Sequence, residues 1–218
     1  MKHRHEFSLY LVTDRKLSHP RTIEDVVRSA IKGGVSAVQL REKDCSTREY
    51  IASARRIHDI LKPLNIPLII NDRIDVALAM NADGIHIGQS DMPYSDARKV
   101  MGTGAIIGLS IETMEQAFEA ENLDVDYLGV SPIFSTSTKT DTAAGWGIEG
   151  LKALRAQSRH TLIAIGGINS SNAAAVMEAG ADGIAVVSAI CASPDPEESS
   201  GQLRSIIEQK HRMKRIVK

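Results

Sequence analysis

The sequence predicts an α/β fold, a single (β/α)8 TIM barrel, in which eight parallel strands alternate with helices. Three observations support this prediction: apolar segments and helix-like segments alternate along the chain, most apolar segments are continuous, and one strand-helix unit recurs. Continuous apolar segments are typical of strands that are buried on both faces, as in parallel sheets. The 218 residues contain no Pro/Gly/Ser-rich linker, so we expect one domain spanning 1–218.

Eight short apolar segments are predicted as strands. They lie at residues 9–13, 37–41, 67–71, 84–88, 105–110, 126–130, 161–166 and 183–188. The segments between them have helical periodicity, and Ser46 and Glu49 have the spacing of a capping box. A doubly wound open sheet is the alternative, but its first strand is normally followed by a glycine-rich turn. The residues after the first segment, TDRKLSHP, contain no glycine.

The repeated unit is clearest in two segments. DVALAMNADGIHIG (75–88) and AAAVMEAGADGIAVV (173–187) each contain a helix-like stretch, then Ala-Asp-Gly-Ile, then a strand. The glycine allows a tight turn from helix to strand. A repeated helix-to-strand unit favours the barrel.

Composition excludes several classes of protein. The net charge is −1, which gives no overall attraction to nucleic acid, and no segment approaches the ~20 apolar residues of a membrane span. The amino terminus lacks the apolar segment of a signal peptide. Cys45 and Cys191 form neither a CxxC motif nor a ligand cluster. We therefore expect a cytoplasmic, reduced protein; the oligomeric state is left open.

Polar residues and glycines follow seven of the predicted strands, where a barrel carries its active site. In chain order they are Gln39, Arg41, Glu42 and Lys43; Asn71 and Asp72; His86, Gln89 and Asp91; Ser110; Thr136, Thr138 and Lys139; Gly166 and Gly167; and Val187 and Ser188. One polar strand end carries little information, but seven indicate a polar mouth on one face.

The second strand suggests an anion site. Gln39, Arg41 and Lys43 alternate, so their side chains can converge inside the barrel. Two inward cations are costly unless an anion accompanies them. The alternative is that Arg41 or Lys43 pairs with Glu42 or Asp44 on the rim.

A second anion site is predicted after the last two strands. Barrels often bind phosphate there through backbone N–H groups, and Gly166-Gly167 leaves the backbone accessible. An ordinary turn is the alternative for the glycine pair. In the longest loop, the hydroxyls and lysine of 136–139 suit phosphate oxygens, although for this motif alone a solvated loop is the preferred interpretation.

Asp72 and Asp91 end neighbouring predicted strands and are candidate metal ligands. Two ionised carboxylates ~4 Å apart repel by about 4 kcal/mol at an effective dielectric of 20, so a cation is needed between them. Mg²⁺ suits two carboxylates together with diphosphate oxygens and water. The alternative is that each aspartate caps the following helix. His86, a lone histidine within a strand, is interpreted as a supporting group rather than a catalyst.

Taken together, these motifs resemble the thiamine-phosphate synthase family. QLREK (39–43), NDR (71–73), GIHIGQSD (84–91), GLS (108–110), SPIFSTSTK (131–139), IGGIN (165–169) and VVSAI (186–190) have the order and spacing of that family. The resemblance extends from about residue 9 to residue 191. It implies a transferase that joins an aminopyrimidine methyl diphosphate to the nitrogen of a thiazole ethyl phosphate, giving thiamine monophosphate and pyrophosphate by a dissociative route.

The resemblance also implies roles for individual residues. Mg²⁺, one ion per active site, would be held by Asp72 and Asp91. The pyrimidine diphosphate would contact the QLREK motif, including Leu40 and Glu42, together with Asn71, Ser110 and Lys139. The thiazole phosphate would be bound by Thr136, Ser137, Thr138, Gly167, Val187 and Ser188. Arg41, Lys43, Ser110 and Lys139 would be catalytic.

The sequence departs from the family pattern at two places. Ser131-Pro132 replaces the usual Gly-Pro, and TAAGWGIEG (142–150) differs from the commoner loop after the lysine. Three rival functions remain: a thiazole tautomerase of the same superfamily, another phosphate-handling barrel such as a sugar-phosphate epimerase, and a regulatory protein that binds thiamine phosphates without turnover.

Overall fold

The computed structural model describes residues 7–135 and 145–216. Eight parallel strands form a closed barrel in chain order, and β8 pairs with β1. The strands are β1 (Leu9–Val12), β2 (Ala37–Leu40), β3 (Leu68–Asn71), β4 (Gly84–Ile87), β5 (Ile106–Ile111), β6 (Tyr127–Val130), β7 (Leu162–Ile165) and β8 (Gly183–Val186). Each overlaps a predicted strand, so the predicted (β/α)8 barrel is confirmed.

Helices surround the barrel. Within the described residues they are α1 (Arg15–Ser18), α2 (Ile23–Lys32), α3 (Thr47–Leu61), α4 (Ile74–Met80), α5 (Tyr94–Met101), α6 (Met114–Ala120), α7 (Gly147–Gln157), α8 (Ala173–Glu178), α9 (Ser188–Cys191) and α10 (Pro196–Ile216), with a 3-10 turn at Lys62–Leu64. Ser46 and Glu49 form the predicted capping box of α3. The four-residue helices α1 and α9 were not predicted, because one helical turn has no amphipathic period.

Side chains alternate between two cores along each strand. One set packs against the helices and includes Leu9, Leu11, Val38 and Leu40. The other set fills the barrel interior and includes Tyr10 and Tyr127. This interior core packs within the barrel below the strand ends.

Two glycines in the interior make room for larger side chains. A Cβ atom on Gly108 would lie 2.1 Å from the Tyr127 ring, and one on Gly129 would lie 2.9 Å from His86 Cε1. Neither distance is compatible with normal packing. The small residues on β5 and β6 therefore fix where the phenol and the imidazole sit.

A hydrogen bond recurs at the amino-terminal end of the barrel. The residue directly before every second strand accepts, through its side chain, from an N–H in the first two residues of the preceding strand. The pairs are Ser36 with Leu9, Asp83 with Leu68, Asp126 with Ile107 and Asp182 with Leu162, at 2.8–3.1 Å. The aspartates of the repeated Ala-Asp-Gly-Ile motif thus join strands in pairs.

Among residues 7–135 and 145–216, no helix combines the length and the apolar character needed to cross a membrane.

Candidate active site

A cavity of about 380 Å³ opens at the carboxyl ends of the strands. It narrows onto interior side chains such as Tyr10, Tyr127 and Ile163, and its upper wall is polar. Ten predicted site residues line it: Gln39, Arg41, Lys43, Asn71, Asp72, Asp91, Ser110, Gly167, Val187 and Ser188. Residues more than a hundred positions apart in sequence therefore face one space.

Asp72 and Asp91 lie side by side in this cavity. Burial, the negative charge of Asp91 and a hydrogen bond to it raise the pKa of Asp72 from 3.8 to about 6, while Lys43 partly offsets these effects. Such a shift is expected when two carboxyl groups share a partly desolvated site. Without a cation between them, ionisation of both carboxyl groups costs free energy because the two negative charges repel each other.

The helix-cap alternative for these aspartates is wrong. Helix α4 has Arg73 at its N-cap and α5 has Pro93, and neither helix has a side-chain cap. The Asp91 carboxylate instead accepts a hydrogen bond of 2.7 Å from the Gly88 N–H. Asp72 has a φ of 59°, a left-handed conformation that costs about 1 kcal/mol or more in a non-glycine residue.

The donor set fits Mg²⁺ in part. Within the portions of the chain that the structure describes, no group of three or more His, Cys, Asp or Glu side chains could enclose a metal ion. Magnesium is commonly held by one or two carboxylates, with water and substrate phosphates completing its coordination. Asp72 and Asp91 match that pattern and do not match a protein-enclosed zinc site.

After β2, the ion pair that Arg41 forms differs from the pairing with Glu42 or Asp44 that the sequence offered. Arg41 approaches Asp14 of the first loop at 3.8 Å, an ion pair the sequence did not reveal. Glu42 is paired with Arg15, and Asp44 with Lys16. Glu42 and Asp44 are thus paired with cations other than Arg41. The Arg41 side chain lies beside Asp14 and also lines the cavity.

Leu40 and Glu42 do not line the cavity. The Leu40 side chain is buried in the core between barrel and helices, and its carbonyl accepts a hydrogen bond from the Tyr50 hydroxyl. Glu42 lines a neighbouring groove that also contains Arg15. Strand alternation explains this placement, because the two residues point to the opposite side from Gln39 and Arg41.

Gly166 and Gly167 form the opposite wall and both have positive φ values, 105° and 66°. A Cβ atom on Gly167 would lie 2.8 Å from Phe134 Cβ. The sequence is therefore restricted to glycine here by both conformation and space. Val187 and Ser188 adjoin this wall, and Ser188 begins α9.

A chain of hydrogen bonds crosses the cavity floor. Gln39 Nε2 donates to the Tyr10 hydroxyl at 3.0 Å, which is 2.9 Å from the Tyr127 hydroxyl. Tyr127 in turn meets His86 Nδ1 at 3.0 Å, and His86 Nε2 meets Ser110 Oγ at 2.8 Å. Burial raises the pKa of both tyrosines above the usual range, so both phenols are neutral. The interpretation of His86 as a supporting group agrees with these bonds.

Sequence reasoning missed several residues of the cavity. Tyr10, Tyr127 and Glu112 line it without having been placed there from the sequence. Their strand positions gave a weak signal, because Tyr10 and Tyr127 share the inward alternation of Gln39. Thr136, Ser137, Thr138 and Lys139, the candidate phosphate ligands of the long loop, lie outside the described residues.

Comparisons with known proteins agree on one family. The sequence profile described as thiamine monophosphate synthase matches residues 9–190. A thiamine-phosphate synthase of Albidiferax ferrireducens is 54% identical over 200 residues, covering 92% of this chain and 91% of the relative. One from Syntrophomonas wolfei is 50% identical over 204 residues, covering 94% and 98%.

A solved structure gives the same result. The thiamine phosphate pyrophosphorylase of Pyrococcus furiosus superimposes with a TM-score of 0.87 at 37% identity, covering 95% of this chain and 98% of that one.

Proposed function

The chain belongs to the thiamine monophosphate synthase family and is a transferase, and we propose that its cavity joins the two substrates in a Mg²⁺-dependent reaction. The aminopyrimidine methyl group would pass from its diphosphate to the thiazole nitrogen, releasing pyrophosphate. The observation that carries the proposal is the juxtaposition of Asp72 and Asp91 with Arg41 and Lys43 on one side of a single cavity.

The diphosphate is assigned to the side formed by β2, β3 and β4. Arg41 and Lys43 supply positive charge there, and Asn71 supplies an amide. Arg41 is only partly neutralised by Asp14 at 3.8 Å, which is longer than a direct charge-assisted hydrogen bond. A diphosphate could therefore draw the guanidinium toward the cavity.

Asp72 and Asp91 would hold the metal at the diphosphate. When bound, Mg²⁺ would neutralise charge that develops on the departing diphosphate. The raised pKa of Asp72 supports this role, because a cation between the two carboxylates would remove the cause of the shift. Gly88 would hold Asp91 in place through its N–H.

The thiazole phosphate is assigned to the opposite wall. Gly167 has no side chain and Ser188 begins a helical turn beside it, so backbone N–H groups can approach an anion from two strands. The loop 136–139 would contribute further ligands. Two anion sites on opposite walls suit two phosphorylated substrates whose reacting atoms meet between them.

The chain's own residues would act chiefly by positioning and by charge. Arg41 and Lys43 would stabilise the leaving diphosphate, and the opposite wall would hold the thiazole nitrogen in line with the pyrimidine methylene carbon. The carbon–oxygen bond to the diphosphate would break before the carbon–nitrogen bond forms. Such a dissociative step requires leaving-group stabilisation more than a strong base.

The rival tautomerase activity would need no diphosphate site. It would be expected to lack part of the set Arg41, Lys43, Asp72 and Asp91, all of which this chain keeps in one cavity. The retained set supports the synthase and gives no separate support to a sugar-phosphate epimerase, which would handle one phosphorylated substrate.

The test is synthesis of thiamine phosphate from the two phosphorylated substrates by the purified protein, with product and pyrophosphate both measured. We expect product with Mg²⁺, none in EDTA, and recovery when excess Mg²⁺ is restored. Undiminished synthesis in EDTA would overturn the metal assignment. Absence of product with both substrates and Mg²⁺ would overturn the proposed activity and favour a protein that only binds its ligands.

A further inference from the structure

We propose that Tyr127, acting through His86, is a positioning residue that holds the Ser110 hydroxyl as a hydrogen-bond donor into the cavity. This inference rests on the proposed function, since Ser110 lines the cavity and is proposed to contact the pyrimidine diphosphate. It is carried by the hydrogen-bonded chain Gln39–Tyr10–Tyr127–His86–Ser110, called here the floor chain. Its successive distances are 3.0, 2.9, 3.0 and 2.8 Å.

The direction of the floor chain follows from its first member. The Gln39 amide nitrogen only donates, so the Tyr10 oxygen accepts from it. Among the described contacts, the arrangement that gives both buried phenol protons an acceptor has Tyr10 donating to Tyr127. Tyr127 then donates to His86 Nδ1, which must be unprotonated. The neutral imidazole accordingly carries its proton on Nε2.

That tautomer determines what Ser110 offers to a substrate. His86 Nε2–H donates to Ser110 Oγ, so a lone pair of the hydroxyl is occupied. The hydroxyl proton is left to point elsewhere, and Ser110 lines the cavity. An acceptor such as a diphosphate oxygen or a pyrimidine ring nitrogen is the chemistry that this proton recognises.

The barrel is built to hold this chain. Tyr127 and His86 are nearly parallel, with ring centroids 5.6 Å apart and an interplanar angle of 18°. Gly108 and Gly129 provide the space that the two rings occupy. Both phenols are buried and neutral, so the chain transmits hydrogen-bond direction and no charge.

The first test is the protonation site of His86 in the unmodified protein. ¹⁵N NMR of the histidine side chains, with the signal assigned by its loss in His86→Gln, should show a neutral imidazole protonated on Nε2. Protonation on Nδ1 would overturn the proposal. This measurement involves no substrate, so it remains informative if the proposed activity fails.

The second test is a double-mutant cycle on synthesis of thiamine phosphate. Tyr127→Phe removes one hydroxyl, and we expect kcat to fall about tenfold, the size of one hydrogen bond, with a smaller change in KM. In a Ser110→Ala background the same change should have no further effect on kcat, because its target is gone. An equal loss in both backgrounds would overturn the proposal.

A matched control separates positioning from packing. Tyr50 is also fully buried, but its hydroxyl donates to the backbone carbonyls of Leu40 and Asn71. We expect Tyr50→Phe to lower Tm, and any effect on kcat should be the same with and without Ser110. Tyr50→Phe should also leave the His86 tautomer unchanged. Tyr127→Phe should instead give a mixture of the Nδ1-protonated and Nε2-protonated forms of His86. A mixture in Tyr50→Phe would mean that general loosening, rather than the floor chain, sets the tautomer.

Discussion

The two ends of the barrel use aspartate in opposite ways. At the amino-terminal end, Asp126 and Asp182 each accept from a strand N–H and face an arginine, Arg98 and Arg155 respectively, at 3.0–3.1 Å. At the carboxyl-terminal end, Asp72 lies against another carboxyl group and its pKa rises to about 6. The first group of carboxylates is paired with cations within the fold, whereas the mutual repulsion of Asp72 and Asp91 is only partly offset by Lys43 and Asn71.

This difference distinguishes structural from functional carboxylates. A carboxylate with a backbone donor and a guanidinium stabilises the folded state in its charged form. Two adjacent carboxylates destabilise it unless a cation binds between them. Carboxyl groups with strongly perturbed pKa values concentrate at functional sites, so we place the proposed catalysis at the carboxyl-terminal end of the barrel.

The largest expected effect is at the carboxyl-terminal end. Asp91→Asn removes the charge of one proposed metal ligand, while its amide oxygen can still accept from Gly88. We expect kcat/KM for thiamine phosphate synthesis to fall on the order of 100-fold, the scale of losing one electrostatic contact to a transition state. The Tm without metal should stay constant or rise slightly, because repulsion with Asp72 is relieved. A lowered Tm with full activity would show that Asp91 serves stability rather than catalysis.

At the amino-terminal end the same kind of change should act on stability. Asp126→Ala leaves the Ile107 N–H and Arg98 without their carboxylate, so we expect the free energy of unfolding to fall by about 2 kcal/mol. Urea denaturation measures this change, and kcat per folded molecule should be unaltered. Asp96→Ala is the control, because its pair with Lys99 is exposed and should contribute less than about 1 kcal/mol.

Glycine substitution compares the two ends of the barrel at positions that both have positive φ. Gly167→Ala and Gly102→Ala each place a Cβ at positive φ, 66° and 77°, so both are expected to lower stability. Gly102 has open space around it, whereas Gly167 faces Phe134 and the cavity. We therefore expect only Gly167→Ala to raise KM for the thiazole phosphate. Equal KM values in the two variants would remove Gly167 from the proposed phosphate site.

The smallest expected effect is a pH dependence in the absence of metal. The folded-state pKa of Asp72 is raised from 3.8 to about 6, so its ionisation costs stability as pH rises through this interval. In EDTA, Asp72→Asn should therefore raise Tm above that of the unmodified protein at pH 7, but not at pH 4. The difference between the two effects should be on the order of 2 °C. Scanning calorimetry at both pH values measures the difference. An identical pH response would show that Asp72 and Asp91 do not interact.

Much of the fold was predictable because its signals are local. Continuous apolar strands, the Ser46 capping box and the repeated Ala-Asp-Gly-Ile motif reflect interactions within a few residues or between neighbouring units. The rim position of Asp72 and Asp91 was also predictable, because nineteen residues is one strand-helix unit. The roles assigned to the site residues remain predictions.

Other features depended on contacts that no local pattern encodes. Sequence offered Glu42 or Asp44 as partners for Arg41, but the short helix α1 brings Asp14 beside Arg41 and gives Glu42 and Asp44 to Arg15 and Lys16. Leu40 belongs to the resembling motif yet points into the outer core. The pairing of Arg41 with Asp14 was not accessible from spacing alone, whereas the outward position of Leu40 follows from strand alternation.

The sequence by itself determined the barrel, the end of the barrel that would be polar, and the residues that would end each strand there. Strand period and unit length are short-range properties, and they suffice for those conclusions. Only the tertiary structure decided which of those residues meet across the interior. Tyr10 and Tyr127 form a hydrogen bond although 117 positions separate them, because closing β8 onto β1 brings inward side chains of distant strands to one floor.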